Sequence, residues 1–321
     1  VPVLHVDGMV IWDSLAICEL VAERNPAAKL WPEDLALRAK ARAISCEMHS
    51  SFAALRHSFP FQILETNVPS PTGAPSPKAL ADVKRIENGE RLISAVAAYL
   101  ELHIEQGPVL VGSGDPMAIV TAIHGNVRWP RAQCTGEDAH SGATPMASRA
   151  DAVMATAELL LSAEGSLSGA ALVTAGIFQT GAGRHAVSKV PGHASFALEC
   201  RAATEAALLD AERTVKAHVA RIERTRRVRF ELGPAVRTAP VPMTPAIVHH
   251  LADAAVRPVF CMPSGAGHDA AVFAQNGVPT GMVFVRNANG SHNPSEEMSF
   301  DDFAVAASTL FRAALTMPNT P

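Results

Sequence analysis

Between Ala98 and Leu110 the chain reads AYLELHIEQGPVL, in which Leu100, Leu102 and Ile104 alternate with Glu101, His103 and Glu105. That period of two predicts a half-buried strand, with two carboxylates and an imidazole on its polar edge and a Gly-Pro turn after Gln106. Periodicity alone leaves His103 open between the wet face of an ordinary strand and a metal ligand. Upstream, VPVLHV, DG and MVIW predict two strands joined by a tight turn, then a helix over DSLAICELVAERN that Asp13 or Ser14 caps. The stretch from Leu30 to Pro60 has the spacing of a long amphipathic helix, and the chain from Leu80 is helical again before the AYLELHI strand. Between them VPSPTGAPSPKA, Val68 to Ala79, is a loop by composition.

From Asn126 the pattern becomes strand, helix, strand, strand, helix, strand. The strands are NVRWPRAQCTGE, ALVTAGIFQTG, HASFALECRA and RVRFELG; the helices are SRADAVMATAELLLSAEG and TEAALLDAERTVKAHVARIERT. This order predicts an antiparallel four-stranded sheet with two helices on one face, a ferredoxin-like unit. The rest returns to α/β: a helix over TPAIVHHLADAAV, the segment SGAGHDAAVFAQNG, a strand PTGMVFV, the loop RNANGSHNPSEEM and a helix over FDDFAVAASTLFRAAL. The expected fold class is α/β, with no internal repeat.

Composition narrows the function classes. With 321 residues, 48% hydrophobic and 18% charged, the chain is globular and long enough for two domains. A net charge of −4 gives no reason to expect nucleic acid or an anionic membrane as a partner. No apolar run is long enough to span a bilayer and no signal peptide is evident; the chain opens directly on a strand at Val1, as if its beginning were cut away. The five cysteines are scattered and never spaced as CxxC, which points to a reducing, cytoplasmic setting.

Four motifs, ELHIEQGPVL, AHSGATPMASRADA, SGAGHDA and FVRNANGSHNPSE, occur in an order and spacing that resemble the metal-dependent N-carbamoyl-L-amino-acid amidohydrolases, relatives of allantoate amidohydrolase. The resemblance covers about Ser94 to Leu315. It implies a metallopeptidase-like catalytic domain in two parts, 93–122 and 235–321, with an inserted ferredoxin-like lid over 123–234 that forms a homodimer. It also implies a divalent-metal cofactor, zinc or manganese, and a small ureido or carbamoyl substrate. By that resemblance His103 and His292 are metal ligands, and His140 steadies the developing oxyanion, a role worth about 3–4 kcal/mol. Arg201 grips the substrate carboxylate. Gln106 contacts the ureido group, and His268, with Asp269 beside it, lines the pocket. Ser188, in SKVPG, stands where the family usually has a substrate-binding asparagine.

The family's other ligands, a histidine in an HxD motif, a bridging aspartate and a glutamate pair that includes the general base, have no match before Ser94. Residues 1–92 instead resemble part of a glutathione transferase, through VPVL, DSLAICEL, LWPEDLALRAKAR, EMHSSFAALRHSFP and ADVKRIE. That second resemblance implies a glutathione site at Pro2, Asp13 and Ser14. The sequence therefore reads as two incomplete enzymes joined near Leu92. Its leading expectation is a metal-dependent amidohydrolase whose incomplete site binds at most one ion, weakly, with hydrolysis close to background. The alternatives are a glutathione-binding protein and a non-catalytic dimeric remnant.

Overall fold

A computed structural model describes residues 3–28, 30–50, 76–78, 80, 81, 96–180 and 186–317. The chain divides into two compact units, Val1–Arg91 and Leu92–Pro321. The junction expected near Leu92 lies outside the described residues, as do Pro2 and most of the Leu80–Leu100 stretch.

In the first unit β1 (Val3–Val6) and β2 (Met9–Trp12) pair antiparallel, with Val6 opposite Met9. The two-residue turn between them is Asp7-Gly8, both at positive φ (48° and 77°), the conformation that an Asp-Gly pair tolerates and a tight hairpin requires. Asp13 then caps α1 (Ser14–Arg24), its carboxylate accepting the amides of Leu15 and Ala16. The long helix expected from Leu30 is described as α2 (Leu35–Ser50), tied to α1 by the two-pronged Arg42–Glu19 pair at 2.8 Å.

The second unit holds two five-stranded sheets. The first contains β3 (Tyr99–Ile104), β4 (Met117–Ile123), β12 (Val241–Pro242), β13 (Phe260–Ser264) and β14 (Thr280–Val285). Its ladder runs β12-β4-β14-β3 with β13 also on β4; β14 is parallel to β3 and antiparallel to β4, so the sheet is mixed. Helices α6 (Pro245–Ala254) and α8 (Phe300–Thr316) cover one face, where Ile119, Val283 and Val285 meet Ile247, Leu251 and Ala306. The other face packs Val120, Met282 and Phe284 against Ala270 and Ala271 of α7 (Asp269–Gln275), with Leu110 of α3 (Val109–Ser113) beside them.

The second sheet contains β5 (Gly125–Thr135), β7 (Leu172–Thr180), β9 (His193–Ala202), β10 (Arg229–Glu231) and β11 (Val236–Thr238). The path β10-β5-β9-β7 is antiparallel throughout, and β11 adds to β5. Every second residue of β9 is buried, and Phe196, Leu198 and Trp129 of this face meet Leu159 of α4 (Ala152–Leu167) and Leu208, Val215 and Ile222 of α5 (Glu205–Arg226). Thr204 caps α5, its hydroxyl accepting the Ala207 amide at 3.2 Å. A separate short pair, β6 (Ala139–His140) and β8 (Lys189–Val190), places His140 opposite Lys189.

Candidate metal centre

The alternation in Tyr99–Ile104 decides which side chains meet. Leu100 and Leu102 join the core under α6 and α8, whereas Tyr99 packs with the α7 face, together with Glu101 and His103 from alternate positions. Across the parallel ladder Glu101 lies opposite Met282 and His103 opposite Phe284. From α7's N-cap, His268 turns onto the same face and meets both Phe284 and His103 edge-on, at ring-centroid distances of 5.6 and 4.6 Å. Glu101, His103 and His268 thus present three ligand atoms within 4.8 Å of one another, and among the described residues no other group of three or more His, Cys, Asp or Glu does so.

Each ligand is oriented by a neighbour. His103 Nδ1 lies 2.8 Å from the Ile104 carbonyl, so it carries the proton and leaves the Nε2 lone pair outward. One oxygen of Glu101 accepts the Ala270 amide at 2.7 Å, and the other lies 3.7 Å from His268 Nδ1. Burial raises the Glu101 pKa, opposed by the Ala270 amide and reinforced by the negative charge of Asp269. Burial, with the charge of His103 second, lowers His268 to about 4, so its ring is neutral near pH 7. The His268 side chain is 1% exposed and its Nδ1 has no hydrogen-bond partner, although it faces a carboxylate. An unpartnered buried nitrogen beside a carboxylate and a second imidazole suits a divalent ion with nitrogen and oxygen ligands.

The other expected site residues fall into groups. Glu105 continues the strand, but its oxygens accept the amides of Val109 and Leu110 at 2.8 Å each, so it caps α3. Gly107 leaves room for it; a Cβ there would stand 2.8 Å from Glu105 Oε1. Gln106, at φ 65°, donates its amide to Asn287 Oδ1, and its side chain reaches the Ser291 hydroxyl at 3.3 Å and His292 Nε2 at 3.2 Å. His292 is exposed, and its amide donates to Glu296, whose carboxyl is held low first by the Ser291 hydroxyl and less by charge on His292 and His103. Glu296 was not singled out by the sequence; an acid four residues after a histidine in a polar loop is too common a pattern to mark it.

In the second sheet Arg201 Nη1 donates to the Gly265 carbonyl at 2.9 Å and Nε meets Glu199 at 3.0 Å; Nη2 has no partner among the described residues. His140 is exposed, and its Nδ1 accepts the amides of Gly142 and Ala143, so the proton sits on Nε2. Arg149 braces this loop by donating to the carbonyls of Thr144 and Ser141, a contact no motif announced. Ser188 is exposed and its carbonyl accepts the Ser141 amide. In the first unit, the Asp13 carboxylate itself occupies amides at the start of α1, next to Ser14.

Comparison with known proteins agrees with these motifs. Residues 65–316 match the model of peptidase family M20/M25/M40. The chain is 33% identical over 237 residues to the N-carbamoyl-L-amino acid amidohydrolase of Geobacillus stearothermophilus, covering 72% of this chain and 57% of that protein. It is 33% identical to the allantoate amidohydrolase of Escherichia coli strain K12, covering 67% of this chain and 53% of that one. A crystal structure of a hydantoinase/carbamoylase family amidase from Burkholderia phymatum superposes with a TM-score of 0.63 at 30% identity, over 77% of this chain and 61% of that one. The chain therefore spans a little over half the length of the curated relatives it matches.

Proposed function

The chain belongs to peptidase family M20/M25/M40, and from that membership we propose that it is a divalent-metal-dependent hydrolase of a linear C–N bond in an N-carbamoyl amino acid or related ureido compound. The observation that carries the reading is the Glu101, His103 and His268 cluster, with its unpartnered Nδ1. These three residues would hold the ion, zinc or manganese. When bound, such an ion polarises a carbonyl and lowers the pKa of a coordinated water. The relatives, an N-carbamoyl-L-amino acid amidohydrolase and an allantoate amidohydrolase, suggest the substrate class.

The remaining roles follow from protons and charge. His140 Nε2 is a fixed N–H donor because Nδ1 is occupied by two amides, which suits it to an oxyanion. Arg201 keeps Nη2 for a substrate carboxylate while Gly265 and Glu199 hold the rest of its guanidinium. The Gln106 amide, next to His292, would orient the ureido nitrogen. Water adds to the ureido carbon, the C–N bond breaks, and the free amino acid leaves with ammonia and carbon dioxide. The second sheet supports the inserted-lid reading: its first four elements in chain order, β5, β7, β9 and β10, lie in the spatial order fourth, first, third, second, with α4 and α5 on one face. For the first unit we favour a structural role, since Asp13 already fills the amides a glutathione carboxylate would use. Retention on immobilised glutathione would overturn that.

The test is ammonia release from N-carbamoyl amino acids by protein supplied with zinc or manganese. Arg201→Lys should raise KM, because a point charge replaces a planar fork. His140→Ala should lower kcat by about a hundredfold with a smaller change in KM. No ammonia above a metal-only control would refute the reading.

A further inference from the structure

We infer that the cluster is a one-ion centre in which His268 binds through Nδ1 and Ser264 is the positioning residue that fixes this tautomer. The proposal rests on the reading of the cluster as a metal site but not on the hydrolytic activity.

His268 Nε2 lies 2.7 Å from Ser264 Oγ. The same oxygen accepts the Ala266 amide at 3.1 Å and its hydroxyl donates to the Ala266 carbonyl at 3.3 Å. With the proton on His268 Nε2, all contacts are satisfied together: Oγ accepts from Nε2–H and from the Ala266 amide, and its own proton goes to the Ala266 carbonyl. The Nδ1 lone pair then points, bare, into the cluster. With the proton on Nδ1, Ser264 would have to turn its hydroxyl to Nε2 and release the Ala266 carbonyl. The Nδ1–H would also be a buried donor without an acceptor, as Glu101 at 3.7 Å is beyond hydrogen-bond range. Ser264 is 1% exposed, so water does not compete for its hydroxyl.

His103 is fixed in the opposite sense, with Nδ1 on the Ile104 carbonyl and Nε2 free. One imidazole thus offers Nδ1, the other Nε2, and Glu101 the oxygen left over by the Ala270 amide. Ligands about 2.1 Å from a shared ion lie at most about 4.2 Å apart. The observed span of up to 4.8 Å closes by small side-chain rotations around one ion. Two imidazoles and one carboxylate suit zinc or cobalt(II) over magnesium or calcium, which prefer all-oxygen shells.

The experiment is titration of the metal-free full chain with cobalt(II) chloride, read by visible absorption, and with zinc chloride, read by calorimetry. One ion per chain is expected, not displaced by millimolar magnesium. Ser264→Ala should weaken binding 10- to 100-fold, the range for losing a partner of a metal-bound histidine. Because Ala could also disturb the loop, the isosteric pair Ser264→Thr and Ser264→Val separates the hydroxyl from its volume. Thr should bind more tightly than Val by at least tenfold and keep the parent cobalt spectrum. Equal affinity for Thr and Val, undiminished binding by Ser264→Ala, or two ions per chain would each overturn the proposal. Metal binding as expected with no release of ammonia would instead fail the hydrolase reading alone.

Discussion

His268 and Glu105 show how two titratable side chains near one strand end come to opposite uses. His268 is buried and neutral, with a pKa of about 4 against an ordinary 6.5. In the metal-free protein the unfolded chain takes up a proton below 6.5 that the native state refuses until about 4. Stability is therefore complete above pH 6.5 and falls as the pH drops toward 4, by about 3 kcal/mol from this residue. His268→Asn should flatten that acid limb, whatever its constant cost in packing; parallel wild-type and variant denaturation profiles from pH 7 to 4 would contradict it. Glu105, by contrast, serves backbone amides. Glu105→Ala strands the Val109 and Leu110 amides and should cost about 1–3 kcal/mol in urea melts. Glu101→Gln should do the reverse, sparing the melt while weakening cobalt uptake, since it neutralises the charge and keeps the shape.

At the scale of elements, the sequence made alternation legible and continuous burial illegible. The period of two in Tyr99–Ile104 gave β3 and the side on which His103 lies, and Asp-Gly gave the first hairpin. The order of strands and helices after Asn126 also appears in the structure, with β11 as an addition. In contrast β4, MAIVTAI, is buried on both faces and carries no polar beat, so its pattern does not separate strand from helix. β13 and α3 are short and take their form from neighbours: β13 from β4, α3 from the Glu105 carboxylate. His268 was legible as a pocket residue but not as a ligand candidate, because its approach to His103 depends on the packing of α7 against β3 and β14. The opposite face of the same sheet is packed closely by α6. A Cβ on Gly281, in β14, would stand 2.8 Å from Leu251 Cδ1 and closer still to Ile247 Cγ2, both on α6. Gly281→Ala should therefore push α6 outward, at about 1–3 kcal/mol, lowering Tm by roughly 3–10 °C. An unchanged Tm would show that α6 yields freely.

At the scale of the whole molecule, the ladder β10-β5-β9-β7 ends at β7, which exposes Ile177 and Phe178. An apolar sheet edge of this kind suits a symmetric partner, and light scattering should report a dimer that Phe178→Glu dissociates. The larger question is charge. Two divalent ions about 3.5 Å apart repel by roughly 20 kcal/mol at an effective dielectric of about 20. The three-residue cluster sets one carboxylate, Glu101, against that repulsion; His103 and His268 bring none. Glu105 is committed to α3, and Glu296 lies by His292. A single ion is what this balance supports. The resemblance to the carbamoyl-amino-acid enzymes implies a bridging aspartate and paired glutamates in the segment before the ELHIEQG strand, and those charges would offset a second ion. Replacing residues 1–91 with the corresponding segment of such a relative should therefore raise zinc content from one to two ions per chain, recruit His292, and increase ammonia release together with it. A chimera that folds yet still binds one ion would show that the first sheet and the His292 loop do not hold the geometry for a second ion, and that the missing carboxylates are not the cause.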